Sequence, residues 1–216
     1  MIRKTLSCTL MAVAMTMAAT MLFFASSASL QAAVTELSAD QKNRLERSYS
    51  PSFGPQDAPV TIVEFFDPAC EACRAFYPIV KQILAENPDD VRLVLRYTPF
   101  HESSEAAVRL LEAARLQGVF KPVLEAILAA QPEWGNGGPR IEAAWAAAEE
   151  AGLDVEKARK NLVRPDIDAT INQDKKDVAA LKIMQTPTFF VNGQPLSSYG
   201  AQQLKDLVSK KIESSQ

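Results

Sequence analysis

Two seven-residue runs stand out from the pattern of the chain: Val60-Thr-Ile-Val-Glu-Phe-Phe66 and Val91-Arg-Leu-Val-Leu-Arg-Tyr97. Both are dominated by apolar and β-branched residues and are too short for helices, so they read as buried strands. Between them Phe76, Ile79, Val80, Ile83 and Leu84 recur at helical spacing as far as the Asn87-Pro-Asp-Asp90 turn, with a kink expected at Pro78. Strand, helix and strand with short connections predict a right-handed βαβ unit. Upstream, Val34 to Ser52 is polar with one short helical pattern around Ser38 to Arg47, and Gly54-Pro-Gln-Asp-Ala-Pro59 breaks the chain.

From Ser103 the pattern turns helical for about eighty residues. Ser103 or Ser104 is placed to cap a first helix that Gly118 ends, Pro122 opens a second, Trp134 to Pro139 reads as a loop, and Asp154 and Pro165 start further helices. Trp134, Trp145 and the alanines between Ala143 and Ala148 read as internal packing of this alanine-rich insertion. The strand signal then returns at Thr188-Phe-Phe-Val191. Asn192-Gly193 before Gln194-Pro-Leu-Ser is a strong hairpin signal. A last helix, Ala201 to Lys211, presents Leu204, Leu207 and Val208 inward. The layout is βαβ, a helical insertion, then ββα.

The N-terminus sets the compartment. Arg3 and Lys4 precede an uncharged stretch from Leu6 to Phe24, followed by the small residues Ala25 to Ser29, the order of an export signal. Cleavage is expected after Ala28, with Ala33 as the second choice. The apolar stretch also has the length to span a bilayer, so residues 6–24 acting as an uncleaved anchor is the alternative. Cys8 lies too close to the start for a lipoprotein signal. The whole chain has 23 basic and 26 acidic residues; removal of residues 1–28 takes two basic ones and one of three cysteines. The remaining acidic balance offers no basic stripe for nucleic acid, and an even cysteine pair in an exported chain is a disulfide candidate.

That pair is Cys70 and Cys73, directly after the first strand and at the start of the helix. A helix N-terminus carries partial positive charge and unpaired N–H groups, so a thiol placed there ionises more readily, and the thiolate is the attacking form. A structural staple closing so short a loop would contribute about 2 kcal/mol at most. A redox site is the better use of the pair. Structural zinc wants four ligands, and His101 is the only other soft ligand in view; Cu(I) on the two thiolates, helped by Met184 or His101, is the competing metal reading. His101 itself sits in a loop after Pro99-Phe100 and reads as a solvated or capping residue.

Phe65-Phe66-Asp-Pro-Ala-Cys70-Glu-Ala-Cys73, Pro78 five residues beyond, and Thr186-Pro187 before the third strand together resemble the thioredoxin superfamily, and the export signal and helical insertion narrow the resemblance to DsbA-like proteins. The resemblance spans roughly Ala58 to Ile212. It implies an α/β thioredoxin fold, residues 59–102 and 186–216, interrupted by an insertion, residues 103–185, and preceded by an N-terminal segment, residues 29–58. It also implies a periplasmic protein-disulfide oxidoreductase with Cys70 as nucleophile, Cys73 as resolving cysteine, Glu64 as the buried acid beneath the disulfide, and a cis bond at Thr186-Pro187 beside the bound substrate. The cofactor is then the redox-active Cys70–Cys73 disulfide itself, and the partners are unfolded or cysteine-containing exported proteins and a membrane redox partner. Two departures leave the direction of electron flow open. Glu71-Ala72 stands where strong oxidants of the family carry Pro-His, and Thr186 stands where they usually have Val. Glu71 and Ala72 are therefore expected to tune the potential, the carboxylate by opposing the Cys70 thiolate.

Overall fold

The computed structural model describes residues 37–135 and 141–215. The stretch read as an export signal or anchor, including residues 6–24, lies outside the described residues. In chain order the elements are α1 (Ala39–Leu45), β1 (Ser52–Phe53), β2 (Val60–Phe66), α2 (Glu71–Glu86), β3 (Val91–Tyr97), α3 (Ser104–Leu116), α4 (Phe120–Ala129), α5 (Gln131–Trp134), α6 (Glu142–Glu150), α7 (Val155–Asn161), α8 (Pro165–Ala180), β4 (Thr188–Val191), β5 (Gln194–Pro195) and α9 (Ala201–Glu213). Among the described residues, no helix is long and apolar enough to cross a membrane.

One sheet runs in the order β1-β3-β2-β4-β5. β2 and β3 are parallel in the register Val60 to Val91 through Phe66 to Tyr97, while β4 pairs antiparallel with β2. Positive φ at Asn192 and Gly193 closes the β4–β5 hairpin in a primed turn. At the edge of the sheet β1 pairs Phe53 with Leu93 and Ser52 with Val94. Gly54 makes this edge possible: its φ is +95°, and a Cβ there would lie 2.5 Å from the Val91 carbonyl oxygen.

Successive strand residues face opposite sides of the sheet, and this divides the core in two. Val60, Ile62 and Phe66 of β2, Val91, Leu93, Leu95 and Tyr97 of β3, and Phe189 and Val191 of β4 pack with α2, α9 and the helices from α3 to α8. Val63, Phe65, Val94 and Phe190 face the other way, against Leu45, Val178 and Ile183. Arg96 shares that second face. It is fully buried and donates to Asp174 at 2.7 Å, to Asp177 at 2.8 Å and to the Leu45 carbonyl at 2.8 Å.

The insertion differs in detail from its sequence reading. Asp154 caps α7 through its side chain and Pro165 opens α8, as their residue types require. Ser103 and Ser104 do not cap α3: the Ser103 hydroxyl donates to the Gly135 carbonyl at 3.0 Å, and the Ser104 hydroxyl donates to Asp67. Helix α4 begins at Phe120, two residues before Pro122. Trp134 ends α5 instead of opening a loop, with its indole N–H on the Ile127 carbonyl at 2.9 Å. Trp145 stacks under the Arg159 guanidinium at 4.5 Å.

Candidate active site

Helix α2 begins where β2 ends, so the two cysteines arrive at the end of the central parallel strands. Cys70 is the N-cap residue and Cys73 lies in the first turn. Both are unbonded thiols here; Cys73 is fully buried and Cys70 retains 7 % exposure. The Cys70 thiol donates to the Thr186 carbonyl at 3.3 Å, and the Thr186-Pro187 bond is cis. The Asp67 N–H donates to the Cys73 sulfur at 3.4 Å.

The environments push the two thiols apart. The hydrogen bond from Cys73 is the largest influence on Cys70 and favours its thiolate; burial opposes this, and hydrogen bonding from the Thr186 side chain and from the backbone N–H groups of Cys73 and Ala72 adds to it, so the Cys70 pKa falls to about 5. Cys73 is raised well above the ordinary thiol range by burial, by its bond to Cys70 and by Glu64. One sulfur is thus a thiolate at neutral pH and the other keeps its proton.

Glu64 sits two residues from the end of β2, on the same face as Ile62 and Phe66. Its side chain is buried, and Oε1 has no hydrogen-bond partner. Burial, and then the Cys70 thiolate charge, push its pKa up to about 8. An orphaned acid that holds its proton at neutral pH is poised to exchange it with a nearby group. Tyr199, whose ring centroid lies 4.8 Å from that of Phe76, is pushed up to about 12 by burial and then by the charges of Cys73 and Cys70.

The remaining expected residues fall differently. Glu71 carries an 81 % exposed side chain and turns to Arg74, with 3.4 Å between Oε1 and the guanidinium. Its charge faces Arg74 and solvent. Ala72 acts on Cys70 through its backbone N–H. Met184 is 84 % exposed, and His101 turns Nδ1 to Asp67 at 2.8 Å.

Asp67 is the residue that the sequence reading passed over. Its buried carboxylate accepts from the Ala69 N–H at 2.9 Å and the Ser104 hydroxyl on Oδ1, and from the Phe100 N–H at 2.8 Å, the His101 N–H at 3.2 Å and His101 Nδ1 on Oδ2. These bonds tie the loop carrying Cys70 to the loop that enters α3. The bond to Ala69 is an Asx turn, and an aspartate directly after a buried strand and before Pro68 is the signal that could have marked it.

This geometry has known counterparts. The thioredoxin family model matches residues 46–210, and the chain belongs to that family. A Na(+)/H(+) antiporter NhaA from Herminiimonas arsenicoxydans is 35 % identical over 149 residues, which are 68 % of this chain and 23 % of the relative. The chain therefore spans less than a quarter of that relative's length. A thioredoxin-like oxidoreductase from Silicibacter pomeroyi is 29 % identical with a TM-score of 0.70, covering 79 % of this chain and 97 % of the other. The thiol-disulfide exchange protein alpha-DsbA2 from Wolbachia pipientis shares the fold at 18 % identity and a TM-score of 0.67, covering 79 % of this chain and 91 % of its own. The fold is that of the DsbA-like branch of the thioredoxin superfamily, with its helical insertion.

Proposed function

We propose that the protein is an exported, periplasmic thiol:disulfide oxidoreductase that exchanges disulfides with unfolded or partly folded proteins through Cys70 and Cys73. The observation that carries this reading is the asymmetric pair: an ionised, partly accessible Cys70 at the start of α2, and a buried Cys73 behind it, with the unpartnered acid Glu64 on the same face of the sheet.

In the oxidising direction a substrate thiolate attacks Cys70 Sγ of the disulfide form. The Cys70–Cys73 bond breaks, and the Cys73 thiolate leaves and takes a proton from Glu64. A second substrate thiolate then attacks the substrate sulfur of the mixed disulfide, releasing Cys70 as its stable thiolate. The substrate loses two electrons and the enzyme gains them. In reverse, the Cys70 thiolate opens a substrate disulfide and so loses its charge; Glu64, relieved of that neighbouring charge, gives its proton to solvent and then takes the Cys73 proton as Cys73 closes on Cys70 and expels the substrate thiolate. The Thr186 carbonyl, which the Cys70 thiol already contacts, is the acceptor available to an N–H of an extended substrate segment, a form of strand addition beside the cysteine. A low-pKa leaving thiolate stabilises the reduced form, so the poise we propose is oxidising, with a membrane redox partner returning the disulfide.

The test is refolding of a reduced, unfolded cysteine-containing protein by the disulfide form, with insulin reduction as the opposite assay. Wild type is expected to oxidise the first substrate stoichiometrically, and Cys70→Ser to do nothing. A wild type inert in both assays overturns the reading, and a wild type active only in insulin reduction reverses the direction.

A further inference from the structure

The helical insertion touches the loop that carries Cys70 through α5 as well as through Ser104. Gln131 is 4 % exposed, and its side-chain amide is fully engaged by residues flanking the active cysteine. Nε2 donates to the Pro68 carbonyl at 2.8 Å and to the Cys70 carbonyl at 3.0 Å, while Oε1 accepts from Arg74 Nε at 3.0 Å. At the other end of α5, Gly135 closes on the same loop: a Cβ there would meet the Ala69 carbonyl oxygen at 3.3 Å and Gln131 itself at 3.0 Å. The two ends of this short helix thus touch three consecutive residues of the loop, Pro68, Ala69 and Cys70.

We propose that Gln131 is a positioning residue that sets the redox poise of Cys70 by fixing the peptide units on either side of it. This rests on the thiol:disulfide reading above and extends it to the insertion.

The physical case runs through peptide planarity. Carbonyl and N–H of a trans peptide point in opposite directions, so a carbonyl pinned on one side aims its partner N–H to the other. Holding the Pro68 carbonyl leaves the Ala69 N–H directed at Asp67, which receives it at 2.9 Å. Holding the Cys70 carbonyl fixes the first peptide plane of α2, the plane that carries the N–H of Glu71 at the positive end of the helix. The Cys70 carbonyl also takes the Arg74 N–H at 3.1 Å, so it has two donors and little residual negative charge to set against a sulfur anion of the same residue. Oε1 keeps the Arg74 guanidinium within one turn of Cys70. Loss of the amide N–H groups would leave the Pro68 carbonyl buried and unpaired and the first turn less firmly aimed. Each change disfavours the thiolate.

The experiment compares Gln131→Leu, the near-isosteric Gln131→Glu, and Gln117→Leu in the full chain. Gln117 is the internal control. It makes the same kind of two-bond side-chain clamp in the insertion, to the N–H and carbonyl of Asp154 at 3.0 Å each, with no bond to the active-site loop. The Cys70 titration is followed by thiolate absorbance and by the pH dependence of alkylation, and the disulfide by its glutathione equilibrium. Gln131→Leu is expected to raise the Cys70 pKa by about half a unit to one unit and to shift the equilibrium about three- to tenfold toward the disulfide form. Gln131→Glu, which keeps the acceptor for Arg74 but turns both donors into a negative charge, should shift both further in the same direction. Gln117→Leu should lower the melting temperature and move neither. Unchanged titration and equilibrium in both Gln131 variants would overturn the proposal and leave Gln131 a packing residue. Because the titration needs no turnover, it decides this point even if the wild type exchanges no disulfides, a result that would overturn the functional reading instead.

Discussion

The two faces of the central sheet each bury acidic side chains, and they treat them in opposite ways. On the face toward α1 and α8, Asp174 and Asp177 meet Arg96 under complete burial. Asp174 also accepts from the Tyr49 hydroxyl at 2.6 Å and the Tyr97 N–H at 2.8 Å, and Asp177 takes Arg47 at 2.7 Å. Burial pushes both carboxyls up: at Asp177 the donors from Arg47 and Arg96 outweigh it and hold the carboxyl below its ordinary range, while at Asp174 burial still prevails over the donors from Arg96, Tyr49 and Tyr97. On the other face Glu64, two residues from the end of β2, has no such donors, and burial raises it unopposed to about 8. A buried acid with donors on both carboxylate oxygens joins α1, β3 and α8 together. A buried acid left unanswered pays a desolvation cost that packing does not require, and here it lies beneath the cysteine pair. The difference separates structure from chemistry within one sheet.

Breaking the satisfied side should have the largest effect. Arg96→Leu leaves two buried carboxylates without their main partner and is expected to cost about 3–5 kcal/mol, read from denaturant unfolding; a loss below about 1 kcal/mol would mean that Arg47 and Tyr49 suffice. Glu64→Gln should do the reverse. The folded chain keeps the Glu64 proton up to about pH 8, whereas the unfolded chain releases it near 4.5. Between these values the native state binds more protons, so wild-type stability falls as pH rises. The advantage of Glu64→Gln in the reduced protein should therefore grow through that window, by up to about 1.4 kcal/mol per pH unit, while resolution of the mixed disulfide slows. Subtracting the two stability curves cancels the Cys70 titration common to both; a flat difference would place the Glu64 proton elsewhere.

Smaller effects sharpen the contrast around the site. Asp67→Asn replaces a carboxylate that accepts five hydrogen bonds with an amide that must turn an NH2 toward some of those donors, and about 1–3 kcal/mol of stability should go with it, together with slower exchange at Cys70. Glu71→Gln should change least. With its charge turned to Arg74 and solvent, the Cys70 titration is expected to move by less than about 0.3 unit, because exposed pairs of this kind contribute little. A shift of a full unit would restore Glu71 as a determinant of the potential.

Much of this architecture was legible because it is local. Short length and apolar, β-branched content placed β2 and β3 at their observed ends, Asn192-Gly193 marked the hairpin, and the apolar neighbours of Glu64 signalled its burial. What escaped depends on distant partners. Arg96 reads as a polar interruption of a strand, since Asp174 and Asp177 lie 78 and 81 residues away. Ser104 has the residue type of a cap, yet Asp67, 37 residues earlier, claims its hydroxyl. β1 is two residues long and exists only through its pairing with β3. Glu71 gained a partner that its place beside Cys70 did not suggest. Its nearness to Cys70 in sequence is real, but on a helix its natural neighbour is Arg74, three residues on.

The asymmetry of the two cysteines is tested most directly by trapping. Cys73→Ser, incubated with a disulfide-bearing protein substrate and run on a non-reducing gel, should accumulate a covalent adduct through Cys70, because the nucleophile remains and the resolving thiol is gone. The adduct should form at a rate nearly constant above about pH 6 and fall about tenfold per unit below pH 5, following the Cys70 thiolate. Cys70→Ser should form none. Adducts in Cys70→Ser, or their absence in Cys73→Ser, would contradict the assignment of Cys70 as the attacking sulfur.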